Sequence, residues 1–230
     1  MQETGRVNMT AQQIMIELEN LSTEMMKKRH ISRGAREPLF GVATGAMKPI
    51  FKQIGINHVL AEELYATGNY DAMYFAGMIA DPLVMTPSDF DRWMQTAYFF
   101  MLSDFVVAVT LSESPCVMDV ADDWLDNDNE LYRSAAWSAY QWLIGWRNDD
   151  FFDKDRMTAL LTKAVAGIDG ETKHVQGVIN DFVAAVGVSY IPLHDAAMQA
   201  AKEHGLKAEK TVQQAIDKNK LGFKRRAVRC

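Results

Sequence analysis

Cysteine is nearly absent, with two in 230 residues, Cys116 and Cys230. Two thiols without metal-ligand spacing exclude a zinc ribbon, make a disulfide framework unnecessary and suit a reducing compartment. Proline is scarce, at six residues, so little interrupts a helix. No stretch approaches the roughly 20 apolar residues that span a bilayer. The opening MQETGRVNMTAQQ is too polar for a secretory signal. A cytoplasmic protein with no membrane partner is therefore expected. Strict apolar–polar alternation and convincing hairpin signals are also missing, which argues against a sheet.

The usual catalytic signatures are lacking too. GVATGAMK (41–48) has neither the spacing nor the Lys-Ser/Thr ending of a phosphate loop. There is no HExxH, and the five histidines are scattered, none at ligand spacing with another. Neither a metal nor an organic cofactor is expected.

What remains is strongly helical. Hydrophobic residues make up 48% of the chain, enough for a real core. Apolar spacing predicts a first helix over Thr10–Arg29 and a Gly/Pro-rich loop over Arg33–Gly45. Further helices are predicted at 47–53, 58–66, 70–80, 88–97, 98–111, 117–125, 129–146, 154–168, 171–186, 191–204 and 211–219. The punctuation agrees. In MTPSDFDRW, Thr86 is placed to cap, with Pro87 at the first helical position. An all-α bundle or an α-solenoid of stacked helical pairs follows. Element ends recur at roughly 35–45 residues, which suits degenerate HEAT-like repeats. One domain is expected over 1–217, followed by a basic tail over 218–230.

The net charge of −6 is unevenly spread. Residues 1–68 are near neutral, at +1. Residues 69–155 hold four Lys/Arg against sixteen Asp/Glu, and residues 156–230 carry a net +5. Nucleic acid would be drawn to the ends and repelled by exposed parts of the middle.

Inside that middle third, the mostly apolar stretch AYFFMLSDFVVAVTL (97–111) holds Ser103 and Asp104 side by side. A carboxylate there must be paired, hydrogen-bonded or put to use. On a helix, Phe100 and Asp104 share a face, and a ring beside an acid suits a cationic ligand. Arg133 lies in ELYRSAAWSAYQWLIGW, one turn before Trp137. Two readings stay open: a site, or a structural ion pair between Asp104 and Arg133. At the end of the chain, Lys224, Arg225, Arg226 and Arg229 form a cluster able to grip phosphate.

The segment EPLFGVATGAMKPIFKQIGINHVLAEELYATGNYDAMYFAGMIADP (37–82) resembles the AlkD-like DNA alkylation repair family. The stretches 97–115, 128–143 and 178–187 stand where that family has its aspartate-bearing helix, its arginine-bearing helix and the helix that follows. The ending LGFKRRAVRC resembles that of an uncharacterised bacterial subgroup. The resemblance implies a HEAT-like α-solenoid that excises cationic N3- and N7-alkylated purines from duplex DNA. Such a lesion already carries positive charge, so a carboxylate that stabilises the developing sugar cation suffices.

Carried over, Asp104 would be the catalytic carboxylate and Arg133 would contact the DNA backbone, with Phe99, Phe100 and Trp137 beside the substrate. The family's first tryptophan falls on Phe99 or Phe100, and its last near Asn180–Phe182, where this chain has none. Three readings follow: an alkylpurine glycosylase acting as a monomer, a non-catalytic binder of alkylated or branched DNA, and a HEAT-like scaffold for a protein partner.

Overall fold

A computed structural model describes residues 8–226. Every regular element among them is helical. Contacts group the chain into two compact units that divide between Thr110 and Leu111.

The first unit opens with α1 (Ala11–Asn20) and α2 (Glu24–Ser32). The single helix expected over Thr10–Arg29 is thus two, and the break has a local cause. Thr23 leaves helical geometry, caps α2 by accepting the Met26 N–H, and sends its own N–H to the Gly41 carbonyl at 3.0 Å. A capping threonine starts a new helix more readily than it continues an old one. There follow α3 (Thr44–Ile54), α4 (His58–Tyr65), α5 (Tyr70–Ile79) and α6 (Pro87–Thr96). In α6, Thr86 and Asp89 form the reciprocal capping box. The next helix, α7, runs in three consecutive pieces: Phe100–Leu102, a π-helical segment Ser103–Val107, and Ala108–Ser112.

α5 is the axis of this unit. Its sequence YDAMYFAGMI buries residues on all sides, because α1, α3, α4 and α7 pack around it. Gly77 permits the approach of α7: a Cβ there would lie 2.6 Å from Val106 Cγ1.

The second unit contains α8 (Val117–Leu125), α9 (Glu130–Trp146), α10 (Lys154–Gly167), α11 (Lys173–Ser189), α12 (His194–Glu203) and α13 (Ala208–Asp217). α9 and α11 form its centre, with α8 on α9 and with α12 and α13 on α11. Small residues of α9, including Ala135, Ala136 and Ala139, are wholly buried and let the neighbouring helices come close. Gly187 does the same in α11, where a Cβ would meet Val212 Cγ2 at 2.6 Å.

Among the described residues, no helix is long and apolar enough to cross a membrane. Arg229 and Cys230 lie outside the described residues.

Candidate functional site

In the first unit, Asp104 sits in the π-helical segment of α7 and is 2% exposed. The Ser103 hydroxyl donates to its Oδ1 at 2.8 Å, so the two polar neighbours noticed in the sequence solve part of their burial together. Phe99, just before the helix, is a core residue. Its ring meets Tyr98 at 5.1 Å and Tyr70 at 5.4 Å, and Gly34 lies beneath it, where a Cβ would be 3.2 Å from the ring. Phe100 is half-buried and edge-on to Phe99. Of these two aromatics, Phe100 has the more accessible ring.

A second acid of the same kind escaped the sequence reading. Asp71, in the apolar α5, is fully buried. Its carboxylate accepts the backbone N–H groups of Phe40, Gly41 and Val42 at 2.7, 2.9 and 2.8 Å. His30 closes the same corner, with Nε2 2.9 Å from the Val42 carbonyl and 4.0 Å from Asp71 Oδ1. Three amide donors balance a buried carboxylate well. Asp71 therefore anchors the glycine-bearing loop between α2 and α3. The sequence signal, an acid inside an apolar helix, was the one that singled out Asp104.

In the second unit, Arg133 is held by its own surroundings. Nε and Nη2 bind the Glu171 carboxylate at 2.8 and 2.9 Å. Nη1 donates to the carbonyls of Asn127 and Asp128 at 2.6 and 3.0 Å. This is a bidentate pair plus a clamp on the α8–α9 loop, and Glu171 raises the arginine's pKa further. Trp137 is 3% exposed, with its ring 4.9 Å from that of Phe182. Phe182, in the stretch near which the resemblance would place a stacking tryptophan, is itself wholly buried.

The C-terminal segment is docked on the second unit. Gly222 N–H donates to the Val188 carbonyl, Ser189 Oγ to the Phe223 carbonyl, and Arg225 N–H to the Gly145 carbonyl. Lys224 Nζ pairs with Asp149 at 2.9 Å and reaches the Ile144 carbonyl. The Arg225 guanidinium stacks on Trp142 and points donors at the carbonyls of Gln141 and Trp142. These carbonyls lie in the last turns of α9, where a cation also meets the negative end of the helix. Burial pulls the Arg225 pKa down. Of the four tail cations read as phosphate ligands, Lys224 and Arg225 are occupied by protein acceptors, Arg226 is exposed, and Arg229 lies outside the described residues.

Arg225 and Phe223 also line a cavity of about 400 Å³ with Gln141, Asp181, Ser189 and Thr211. Among the described residues, no three His, Cys, Asp or Glu side chains converge as a metal site.

The profile of the DNA alkylation repair enzyme family matches residues 12–229. The chain belongs to this family. Two relatives, uncharacterized proteins of Listeria monocytogenes and Listeria innocua, are 26% and 25% identical to this chain over 192 residues, which is 82% of each chain. A solved structure superposes with a TM-score of 0.91 at 51% identity, covering 96% of this chain and all of the other. It is described as belonging to a new family of proteins related to the HEAT-like repeat DNA glycosylases with affinity for branched DNA structures. The all-helical, HEAT-like fold expected from the sequence is thus the fold of this member of the DNA alkylation repair family.

Proposed function

We propose that this protein binds DNA, favours branched DNA over a plain duplex, and does not excise bases. The observation that carries this reading is the state of Asp104. The acid that would stabilise a developing sugar cation is 2% exposed and already bears the Ser103 hydroxyl. The stacking partners expected beside it are also altered. Phe99, one of the two positions where the first tryptophan would fall, is packed into the core, and Phe182, in the stretch near which the last would fall, is buried. The structural relative, similar over nearly the whole chain, is described as related to the HEAT-like repeat DNA glycosylases, with affinity for branched DNA structures. A cytoplasmic location goes with this reading and with the DNA alkylation repair family.

The test is an electrophoretic mobility shift with a four-way junction and a linear duplex of equal length, over a range of salt. Tighter binding to the junction that weakens steeply with salt is expected. Equal affinity for both substrates overturns the preference. Negligible binding at low salt would leave the scaffold reading in its place.

One feature favours a second reading, in which the protein removes alkylated purines. Asp104 stands in a π-helical segment, a local irregularity frequently found at functional sites. Release of 3-methyladenine and 7-methylguanine from methylated duplex DNA, lost in Asp104→Asn, would establish that activity. No release from the wild type would end it.

A further inference from the structure

We propose that α2 and the loop after it present a phosphate-contacting surface, formed by Lys28, Arg29, Arg33 and Arg36. The proposal rests on the DNA-binding reading above and assigns it a place.

The helix makes little sense as a packing element. Of its nine residues, EMMKKRHIS, only His30 is buried. Met25 is 73% exposed and Ile31 is 48% exposed. Burial of an apolar face is what normally holds a surface helix in place. Here the work is done by the Thr23 cap and by His30 at the Asp71 corner.

What the helix displays is charge without counter-charge. Five cations elsewhere are spent on acids, Arg92 on Glu62 and Asp89, Arg133 on Glu171, Arg156 on Asp122, Lys163 on Asp126 and Lys224 on Asp149, while others, such as Lys202 and Lys210, have no ion pair among the described residues. In the α2 segment Lys27 is spent likewise, on Glu37 at 2.8 Å. Lys28, Arg29, Arg33 and Arg36 are all exposed, and none has an ion pair among the described residues. The helix dipole favours cations in the last turn and accounts for Arg29. It does not account for Arg36, which lies beyond the helix.

The surface is also held in shape. The Tyr98 hydroxyl accepts the Arg36 N–H at 3.0 Å and donates to the Arg36 carbonyl at 3.3 Å. The Arg36 guanidinium carbon lies 5.2 Å from the centre of the Tyr98 ring. At the other end of the loop, Asp71 holds the amides of residues 40–42, and Gly41 is packed where a Cβ would be 2.5 Å from the Lys27 nitrogen. Charges on a backbone ordered in advance bind with less entropic cost than charges on a free tail. From Lys28 to Arg33 the helix rises about 8 Å, which suits two or three successive phosphates of one strand. The chemistry is that of phosphate positioning, not base reading.

The experiment compares two variants of the full chain with equal charge loss. One carries Lys28→Gln, Arg29→Gln, Arg33→Gln and Arg36→Gln. The other carries Lys202→Gln, Lys210→Gln, Lys218→Gln and Lys220→Gln, four exposed lysines of the second unit. Both are titrated with a fluorescent four-way junction from low to moderate salt. The first variant is expected to lose at least about 10-fold in affinity, and its log–log salt slope to flatten by roughly 0.9 per phosphate contact removed. The second should stay near wild type. Melting curves confirm folding, since all eight side chains are exposed. Wild-type affinity and slope in the first variant overturn the surface and leave the DNA-binding reading standing, as does an equal loss in both. A wild type that binds no DNA overturns both.

Discussion

The guanidinium of Arg225 lies against the indole of Trp142, with Cζ 3.8 Å from the ring centre, and the room for it is made by Gly145. A Cβ at position 145 would stand 2.6 Å from Nη2. The pair ties the end of the chain to the last turns of α9. A tail read from sequence as a basic cluster able to grip phosphate is, up to Arg225, part of the second unit's packing.

Gly145→Ala should therefore release this segment. Arg225 can swing away, but it then loses the Trp142 face and the carbonyls of Gln141 and Trp142. Alanine's helix preference of about 1 kcal/mol over glycine offsets much of that loss, so the melting temperature should move little. Limited trypsin digestion followed by mass spectrometry should show cleavage after Lys224 and Arg225 several-fold faster. An unchanged cleavage rate would mean the stacking does not hold the tail.

Asp71→Asn should be costly. An amide has one accepting oxygen and no charge, whereas the carboxylate holds three buried N–H groups. A loss of about 2–4 kcal/mol is expected in urea unfolding. Loss of less than about 1 kcal/mol would show that the loop is anchored by other contacts.

Arg133 and Glu171 should behave as a coupled pair. Their side chains are 20% and 16% exposed, so removing one leaves the other poorly solvated. Arg133→Met alone should cost about 1–3 kcal/mol, and Arg133→Met with Glu171→Gln less than the sum of the two. A double-mutant cycle by thermal or urea unfolding reads the coupling directly. Junction affinity should persist in the double variant. Its loss would give Arg133 the DNA contact that the family resemblance implies.

Gly77→Ala should overpack the contact between α5 and α7. The added methyl meets Val106 Cγ1 at 2.6 Å inside the core of the first unit. The expected cost is about 1–3 kcal/mol, with recovery in Gly77→Ala/Val106→Ala, where the opposing side chain is shortened. If the second substitution only adds to the loss, the glycine is not there to admit Val106.

Much of this was legible in the order of residues. Thr86-Pro87-Ser88-Asp89 caps α6 as its chemistry dictates, and helix 117–125 begins and ends as read. Such signals are local: a capping oxygen and the amide it accepts lie within three residues of each other. The break at Leu21–Thr23 was missed because it depends in part on Gly41, a partner some 20 residues away. Partners distant in sequence also distinguish two acids that look alike in it. Asp71 and Asp104 each interrupt an apolar helix, but only the fold brings the amides of residues 40–42 to Asp71 and places Asp104 in a π-helical segment beside Ser103.

By itself, then, the sequence determined the helical class, most element boundaries and the family, because periodicity, caps and a long segment such as 37–82 are carried by neighbouring residues. Tertiary structure decided which charges are spent and which remain free. Arg133, Lys224 and Arg225 find acceptors brought to them from distant parts of the chain, while Lys28 and Arg29, on a helix that buries one residue, and Arg33 and Arg36, just after it, stay exposed. The physical reason is that an ion pair depends on separation in space, and the chain's order does not state which distant acid will come within about 4 Å of a given cation.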